Sequence, residues 1–416
     1  MNYKINNICI GSVVLLLDYI DYDRESPFEP GKPAPPDLFI GRRNTITKIL
    51  RNIPKVKKGN TQHFFLTGKR RMGKTSVTEY IKRYVKNNYD IFGAYVSNKG
   101  NNSVETLTSM IIESIFNEMP QDSLAKKVKK WFGDHVESIE VKGNKINIKA
   151  DDLLEKSFKD KFPEHLSEIY ERELSEEYDG LLIIVDDING LSESKEFVDW
   201  YKKFADTIAV NYDNLPLYFL LAGYPEKFEN MVQQEESFGS IFHYDYIDAL
   251  TDEEVSSFFE SMFKQEGYEI KKEALNYMVK YSSGLPLLMQ QIGDSIFWEC
   301  ETTFIDENIA INGIFKAADE IGNKQIKPVL SQIQSENYEP LLEKLVELEL
   351  SSFKRSELIK IMKNTSENVI KNFLYKMVDL GIFEQVGHKN SGLYKFSNTL
   401  YYMYFLIKKF KKDQMR

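Results

Sequence analysis

The sequence predicts an α/β chain: a doubly wound parallel sheet, then a helical lid domain, then a C-terminal winged helix-turn-helix. Three observations predict it. A glycine-rich turn, Gly68-Lys69-Arg70-Arg71-Met72-Gly73-Lys74-Thr75, sits between a β-prone apolar run and an amphipathic helix pattern. Leu181-Leu182-Ile183-Ile184-Val185 is continuously apolar, as a parallel strand buried on both faces must be, and Asp186-Asp187 follow it. Beyond residue 250 the pattern turns helical, and over 338–400 it reads helix, helix, helix, hairpin.

The turn fits G-x-x-x-x-G-K-S/T, the phosphate-binding P-loop. Its context agrees: His63–Thr67 reads as a strand, and Val77, Tyr80, Ile81 and Tyr84 share one face of the following helix. In such a unit the backbone N–H groups of Gly68, Arg71, Met72 and Gly73, and of the helix start at Lys74, Thr75 and Ser76, point at phosphate oxygens. Lys74 reaches the β/γ-phosphates, and Thr75 places its hydroxyl on Mg²⁺. The sheet is then the P-loop NTPase kind, with ATP/ADP and Mg²⁺ as expected ligands. Asp186 ends a buried strand, at the edge where open α/β sheets bind ligands. It is placed to hold Mg²⁺, directly or through water. Asp187 is placed to orient or deprotonate the attacking water, a catalytic role alongside Lys74. A plain Asp-Asp turn is the duller alternative.

The other elements follow in order. Residues 1–37 form an N-terminal extension and Pro-rich lead-in. The apolar run Ile8–Leu17 reads as a short strand or as part of an upstream extension, and Pro27, Pro30, Pro33, Pro35 and Pro36 exclude a helix or central strand over 21–37. Residues 38–250 form the ATPase core. It starts with a helix after Gly41-Arg42, and a strand at 91–97 and an amphipathic helix at 103–118 follow the P-loop unit. A hairpin and helix are inserted at about 134–176: the hairpin spans 136–149 and turns at Gly143-Asn144, and a charged helix covers about 151–176. Strands at 217–222 and Ile241–Tyr244 complete the core. Residues 251–330 read as helices only, the lid domain extends over 251–335, and Pro286 stands in the first turn of one helix.

Residues 336–416 form the winged helix domain and basic tail. Arg355–Lys363 and Ser366–Leu380 pair as helix-turn-helix, with Asn364-Thr365 as the turn and Ser366 as N-cap. Val369, Ile370, Phe373, Leu374 and Met377 make the inward face. Asn368, Lys371, Asn372, Tyr375 and Lys376 point outward. The wing is Ile382–Val386 and Leu393–Phe396, with His388 and Lys389 at its tip. Lys371, Asn372, Lys376 and Lys389 are the candidate nucleic-acid contacts. Packing of this module on its own core or on a partner protein is the alternative.

Composition narrows the class. The 416 residues suffice for two or three domains, and 42% apolar content suffices for real cores. Cys9 and Cys300 offer no disulfide framework, which fits a reducing cytoplasm. The five histidines show no zinc spacing, and no apolar run is long enough to span a membrane. Net charge is −9, yet residues 354–416 carry +8, leaving −17 on the rest. A basic end on an acidic body suggests one anionic partner surface.

Four stretches together carry a family resemblance: Phe39-Ile40-Gly41-Arg42, the P-loop, Ile183-Ile184-Val185-Asp186-Asp187, and Gly284-Leu285-Pro286-Leu287. The chain resembles the STAND and archaeal-type P-loop ATPases, relatives of the AAA+ origin-recognition initiators, over residues 25–330. That resemblance implies a nucleotide-controlled switch. It implies Arg42 against the nucleotide, at phosphate or adenine, and Pro286 packed on the adenine. It also implies a C-terminal winged helix. Three departures lean toward slow turnover. Asp187 stands where AAA+ motors usually carry Glu. No arginine lies between Arg172 and Arg355, where a finger and a lid sensor are expected. Ala222-Gly223-Tyr224 ends its strand with only the Tyr224 hydroxyl to act as a polar sensor. Two alternatives stay open: a DNA-binding initiator or regulator with ATP as structural ligand, and a signalling scaffold whose winged helix binds only protein. Expected partners are ATP, then duplex DNA, a protein effector or a second copy of the chain, with no membrane.

Overall fold

The structure is a computed structural model that describes residues 24–33, 39–119, 131, 136–142, 145–150, 152–331, 338–348, 351–363, 365–386 and 392–414. The chain divides into two compact units. One comprises Gly31–Phe258 with Ser283–Leu287; the other comprises Met1–Pro30, Phe259–Ser282 and Leu288–Arg416.

The first unit is built on a parallel sheet. Its elements run α1 (Arg43–Leu50), α2 (Ile53–Val56), β1 (Gln62–Gly68), α3 (Lys74–Tyr89), β2 (Ile91–Ser97), α4 (Val104–Glu118), the hairpin β3 (Val136–Lys142) and β4 (Lys145–Ala150), α5 (Asp152–Asp160), α6 (Phe162–Ile169), β5 (Gly180–Asp186), α7 (Lys195–Asn211), β6 (Leu217–Gly223), α8 (Pro225–Gln234), α9 (Phe238–Ile241) and β7 (His243–Ile247). The sheet order is β2-β5-β6-β1-β7, all neighbours parallel.

The apolar run of β5 shows why this sheet forms. Leu182 and Ile184 pack with Phe64, Leu66 and Leu220 against Val77, Ile81 and Val85 of α3. Leu181, Ile183 and Val185 face the other way, onto Leu107, Ile111 and Ile115 of α4 and Phe197, Tyr201 and Phe204 of α7. β5 alternates between two helical layers, so both of its side-chain sets must be apolar.

Three expectations need correction. The helix expected over 151–176 is broken. Lys161 leaves helical geometry, α6 starts after it, and a π-helical turn follows at Tyr170–Leu174. Pro163 is the cause, because its nitrogen has no proton to give the carbonyl four residues back. That carbonyl, on Lys159, accepts instead from the Trp200 indole at 3.1 Å. The last strand starts at His243 rather than Ile241, because Phe238–Ile241 make a helical turn. Phe238 and Phe242 there pack on the Tyr201 ring, with centroids 5.8 and 5.1 Å away.

The third correction concerns the stretch 251–330, expected to be all helix. It holds α10 (Asp252–Gln265), β8 (Glu269–Ile270), α11 (Lys272–Ser282), α12 (Pro286–Glu299), β9 (Phe304–Ile305), α13 (Glu307–Ile321), a π-helical turn (Gly322–Ile326) and α14 (Lys327–Leu330). β8 and β9 pair in parallel over two residues each, too short to show any period.

The second unit continues with α15 (Tyr338–Glu347), β10 (Ser352–Lys354), α16 (Arg355–Ile361), α17 (Glu367–Asp379), β11 (Phe383–Val386), β12 (Leu393–Phe396) and α18 (Thr399–Gln414). The strands form one antiparallel sheet ordered β10-β12-β11. The Ser366 hydroxyl accepts from the Val369 amide at 3.4 Å and caps α17. α18 packs on α13 and α15. The N-terminal segment docks in this unit too. The Arg24 guanidinium donates to the Tyr268 hydroxyl (2.6 Å) and to the Phe297 (2.5 Å) and Cys300 (2.8 Å) carbonyls. The Phe28 ring is buried against Phe263, with centroids 4.9 Å apart.

Candidate functional site

The site lies at the carboxyl edge of the sheet, where β1, β5 and β6 stop side by side at Gly68, Asp186 and Gly223. Between β1 and α3 the chain turns through Lys69–Gly73. Gly73 has φ 85°, a left-handed value that glycine adopts without strain, and it directly precedes Lys74, the first residue of α3. Arg71 is exposed and Met72 buried. Ser76 is half-buried in the first turn of α3.

The Lys74 ammonium donates to the carbonyls of Gly68 (2.7 Å) and Lys69 (3.0 Å). It also lies 4.8 Å from the centre of the Tyr224 ring. Burial lowers its pKa, and Asp186, Asp187 and Glu226 pull the other way. A cation bonded to two carbonyls of a glycine-rich loop is placed to meet a polyanionic ligand there.

Asp186 is buried, 6% exposed. Its Oδ2 accepts from the Thr75 hydroxyl at 2.5 Å and from the Tyr95 hydroxyl at 2.9 Å. The two residues assigned to Mg²⁺ from sequence are thus in direct contact, though they lie 111 positions apart. Asp187 takes a left-handed backbone, φ 62°, which an aspartate tolerates better than most residues. Its Oδ1 accepts from the Asn189 amide, whose own oxygen accepts from the Tyr224 N–H at 3.0 Å. Asn189 therefore ties the second carboxylate to the end of β6.

Arg42 also reaches the loop. Its guanidinium donates to the Met72 carbonyl at 2.9 Å and to the Asp248 carbonyl. Its backbone N–H donates to Glu254 Oε1 at 2.7 Å. Burial lowers its pKa against the raising effects of Glu254 and Asp248. In this arrangement Arg42 braces the loop from behind through carbonyls. Pro286 stands near the loop as well: a Cβ on Gly73 would lie 3.5 Å from its Cγ. Gly284 lets the chain come that close. It has φ 67°, its carbonyl accepts from the Leu250 N–H at 2.8 Å, and a Cβ on it would meet the Leu250 carbonyl at 2.3 Å.

Gly68, Arg71, Met72, Gly73, Lys74, Thr75, Ser76, Asp186, Asp187, Arg42 and Pro286 therefore belong to one neighbourhood in the first unit. Lys371, Asn372 and Lys376 lie elsewhere, on α17. The first two are exposed, and Lys376 pairs with Asp379 at 3.0 Å. Lys389 lies outside the described residues. Tyr95, Asn98 and Asn189 were not singled out from sequence. Asn98 is fully buried, and its N–H donates to the Asp186 carbonyl at 2.8 Å. Each lies within three residues of the end of a buried strand, and no spacing rule marks such positions.

No family model and no curated protein matches this sequence. Solved structures do. The chain is similar to the ORC2 protein of Aeropyrum pernix, determined as ADPNP-ADP complexes, with a TM-score of 0.54 and 11% identity over 95% of this chain and 98% of that one. It is similar to the Walker-type ATPase PABY2304 of Pyrococcus abyssi, with a TM-score of 0.54 and 15% identity over 88% of this chain and 96% of that one. At such identities the likeness establishes the fold alone: an α/β P-loop NTPase sheet. Among the described residues, no helix is long and apolar enough to cross a membrane.

Proposed function

We propose that this chain is an ATP-binding, slowly hydrolysing ATPase of the STAND or archaeal type, acting as a nucleotide-controlled switch. One observation carries the reading: Lys74, Thr75, Asp186 and Asp187, drawn from two strand ends, converge on one glycine-rich loop at the start of a helix. The loop and helix start supply N–H donors for phosphate. A hydroxyl and a carboxylate in contact form an all-oxygen donor pair of the kind Mg²⁺ takes alongside phosphates and water. The residues therefore fit the metal, with Thr75 and Asp186 as its protein partners. Bound there, Mg²⁺ neutralises phosphate charge. The chain's own residues do the rest. Lys74 stabilises charge on the β/γ-phosphates, and Asp187 orients water.

Two features support slow turnover. Asn189 holds Asp187 by a hydrogen bond. No arginine occurs between residues 173 and 354, and a finger is worth roughly 10³–10⁵ in rate. We read α16, α17 and the β10-β12-β11 sheet as the winged helix, with a nucleic-acid role through Lys371, Asn372, Lys376 and Lys389. Location in the cytoplasm and a protein effector or second copy as partner belong to the same reading.

The test is calorimetry of ATP binding together with phosphate release. The parent should bind ATP and turn over below about 1 s⁻¹, under the usual range for enzymes. Lys74→Ala should abolish binding or turnover while unfolding as the parent does. Equal affinity and turnover in the variant would refute the assignment, and tens of turnovers per second in the parent would refute the switch. Tight retention of ADP with no turnover would favour the reading in which nucleotide is a structural ligand.

A further inference from the structure

The Asp186 carboxylate is held by a second hydroxyl that the P-loop pattern does not contain. Tyr95 lies on β2, directly opposite Ile184 of β5 in the parallel ladder, and Ser97 stands opposite Asp186. The two-residue period puts Tyr95, Ile184 and Asp186 on one side of the sheet, facing α3. From there the phenol lies along the strand end, and its hydroxyl donates to Asp186 Oδ2 at 2.9 Å, the oxygen that also accepts from Thr75.

The Tyr95 backbone is fixed as well. Its N–H donates to the Ser114 hydroxyl at 3.1 Å, and that hydroxyl donates to the Tyr95 carbonyl at 2.9 Å. Tyr95 is therefore pinned from α4 on one face of the sheet while its side chain works on the other. In that bond the phenol is the donor, since an ionised carboxylate can only accept.

We propose that Tyr95 is a positioning residue for Asp186: its hydroxyl fixes one carboxylate oxygen and thereby sets the affinity of the site for its divalent cation. This rests on the nucleotide-site reading above. A carboxylate with one oxygen fixed by two hydroxyls has its rotamer chosen before the ion arrives. Without the phenol, Asp186 loses one buried donor and the ion must order it. Metal-free nucleotide binding, which depends on the loop and Lys74, is independent of that contact.

The experiment uses the full chain and Tyr95→Phe, which keeps the ring and removes only the hydroxyl. Mn²⁺ serves as the metal probe, titrated by electron paramagnetic resonance with ADP present. ADP binding in excess chelator is measured by calorimetry, and thermal unfolding is recorded alongside. Loss of one hydrogen bond to a charged group should weaken Mn²⁺ binding by roughly tenfold. Chelated ADP binding should stay at the parent value. If Mn²⁺ affinity is the same in parent and variant, the positioning role is wrong, even if the variant melts earlier. If metal and metal-free affinities fall together, Tyr95 supports the loop generally and the proposal also fails. A parent that binds no ADP at all overturns the nucleotide site and this inference with it. A parent that binds ADP and Mn²⁺ normally beside an unaffected variant overturns the inference alone.

Discussion

Burial pushes both Lys74 and His63 toward the neutral form, but only Lys74 has carboxylates that oppose it. Lys74 faces three carboxylates, which oppose the effect of burial on its charge. His63 is buried among Tyr201, Phe204 and Phe242, bonded through Nδ1 to the Tyr201 hydroxyl at 2.9 Å. Burial, and next the nearby His243, push its pKa down from 6.5 to about 4. Between those values the unfolded chain binds the proton and the folded chain does not. Stability is therefore intact above pH 6.5 and falls as pH drops toward 4. The shift sets a loss of at most about 3 kcal/mol. Urea unfolding of the parent and His63→Phe near neutral pH and near pH 5 checks this. The variant should lose part of the acid slope, and identical slopes would show that His63 does not titrate there. At this scale the sequence marked Lys74, Thr75 and Asp186, because a consecutive motif and a strand-end carboxylate announce themselves. It did not mark Tyr95 or Asn189, whose roles arise from contacts made only after β2, β5 and β6 are aligned.

At the level of elements, helix packing in the second unit depends on close approach. Gly313 of α13 faces Ile296 of α12, where an added Cβ would meet the Ile296 Cα at 2.8 Å and its N at 2.9 Å. Two terms compete in Gly313→Ala. Helix propensity favours alanine by about 1 kcal/mol. Forcing two backbones apart costs about 1–3 kcal/mol, and backbone cannot step aside as a side chain can. Net destabilisation is therefore expected, read as a lower denaturant midpoint with unchanged slope, and a more stable variant would show that the helices separate freely. The strands of the first unit were readable because helices on both faces demand uninterrupted apolar runs. The long helix over 151–176 was not, because periodicity continues through Pro163 while the backbone hydrogen bonds do not. The pairs β8 and β9 escaped notice because two residues carry no period.

On the scale of the molecule, charge is divided: +8 on residues 354–416 against −17 elsewhere. Such a basic segment attracts phosphate, and each lost contact reduces the salt slope by about 1. Replacing Lys371, Lys376 and Lys389 together by Glu should abolish duplex DNA binding and leave ATP affinity unchanged. Lys371 and Lys376 stand off the buried face formed by Ile370, Phe373, Leu374 and Met377, so α17 should fold. Titration of a DNA duplex at two salt concentrations measures the effect. Absence of salt-sensitive binding in the parent would make this end a protein-contact module instead. Tyr375, 76% exposed on the same helix, would then be the first residue to probe.

The sequence by itself determined the α/β order, the phosphate-loop pattern and the carboxylate pair after β5. These are local properties: apolar period, glycine placement and residue type at a strand end. Only the tertiary structure decided what surrounds Asp186. Thr75 reaches it from α3, and Tyr95 and Asn98 from β2 and the residue after it, because parallel pairing places β2 beside β5 and packs α3 across them. It also decided that Arg42 bonds carbonyls behind the loop, since that contact requires β1 and β7 to be neighbours. A strand's partners and register are long-range choices, made by burying both faces of the whole sheet at once, and no window of the chain contains them.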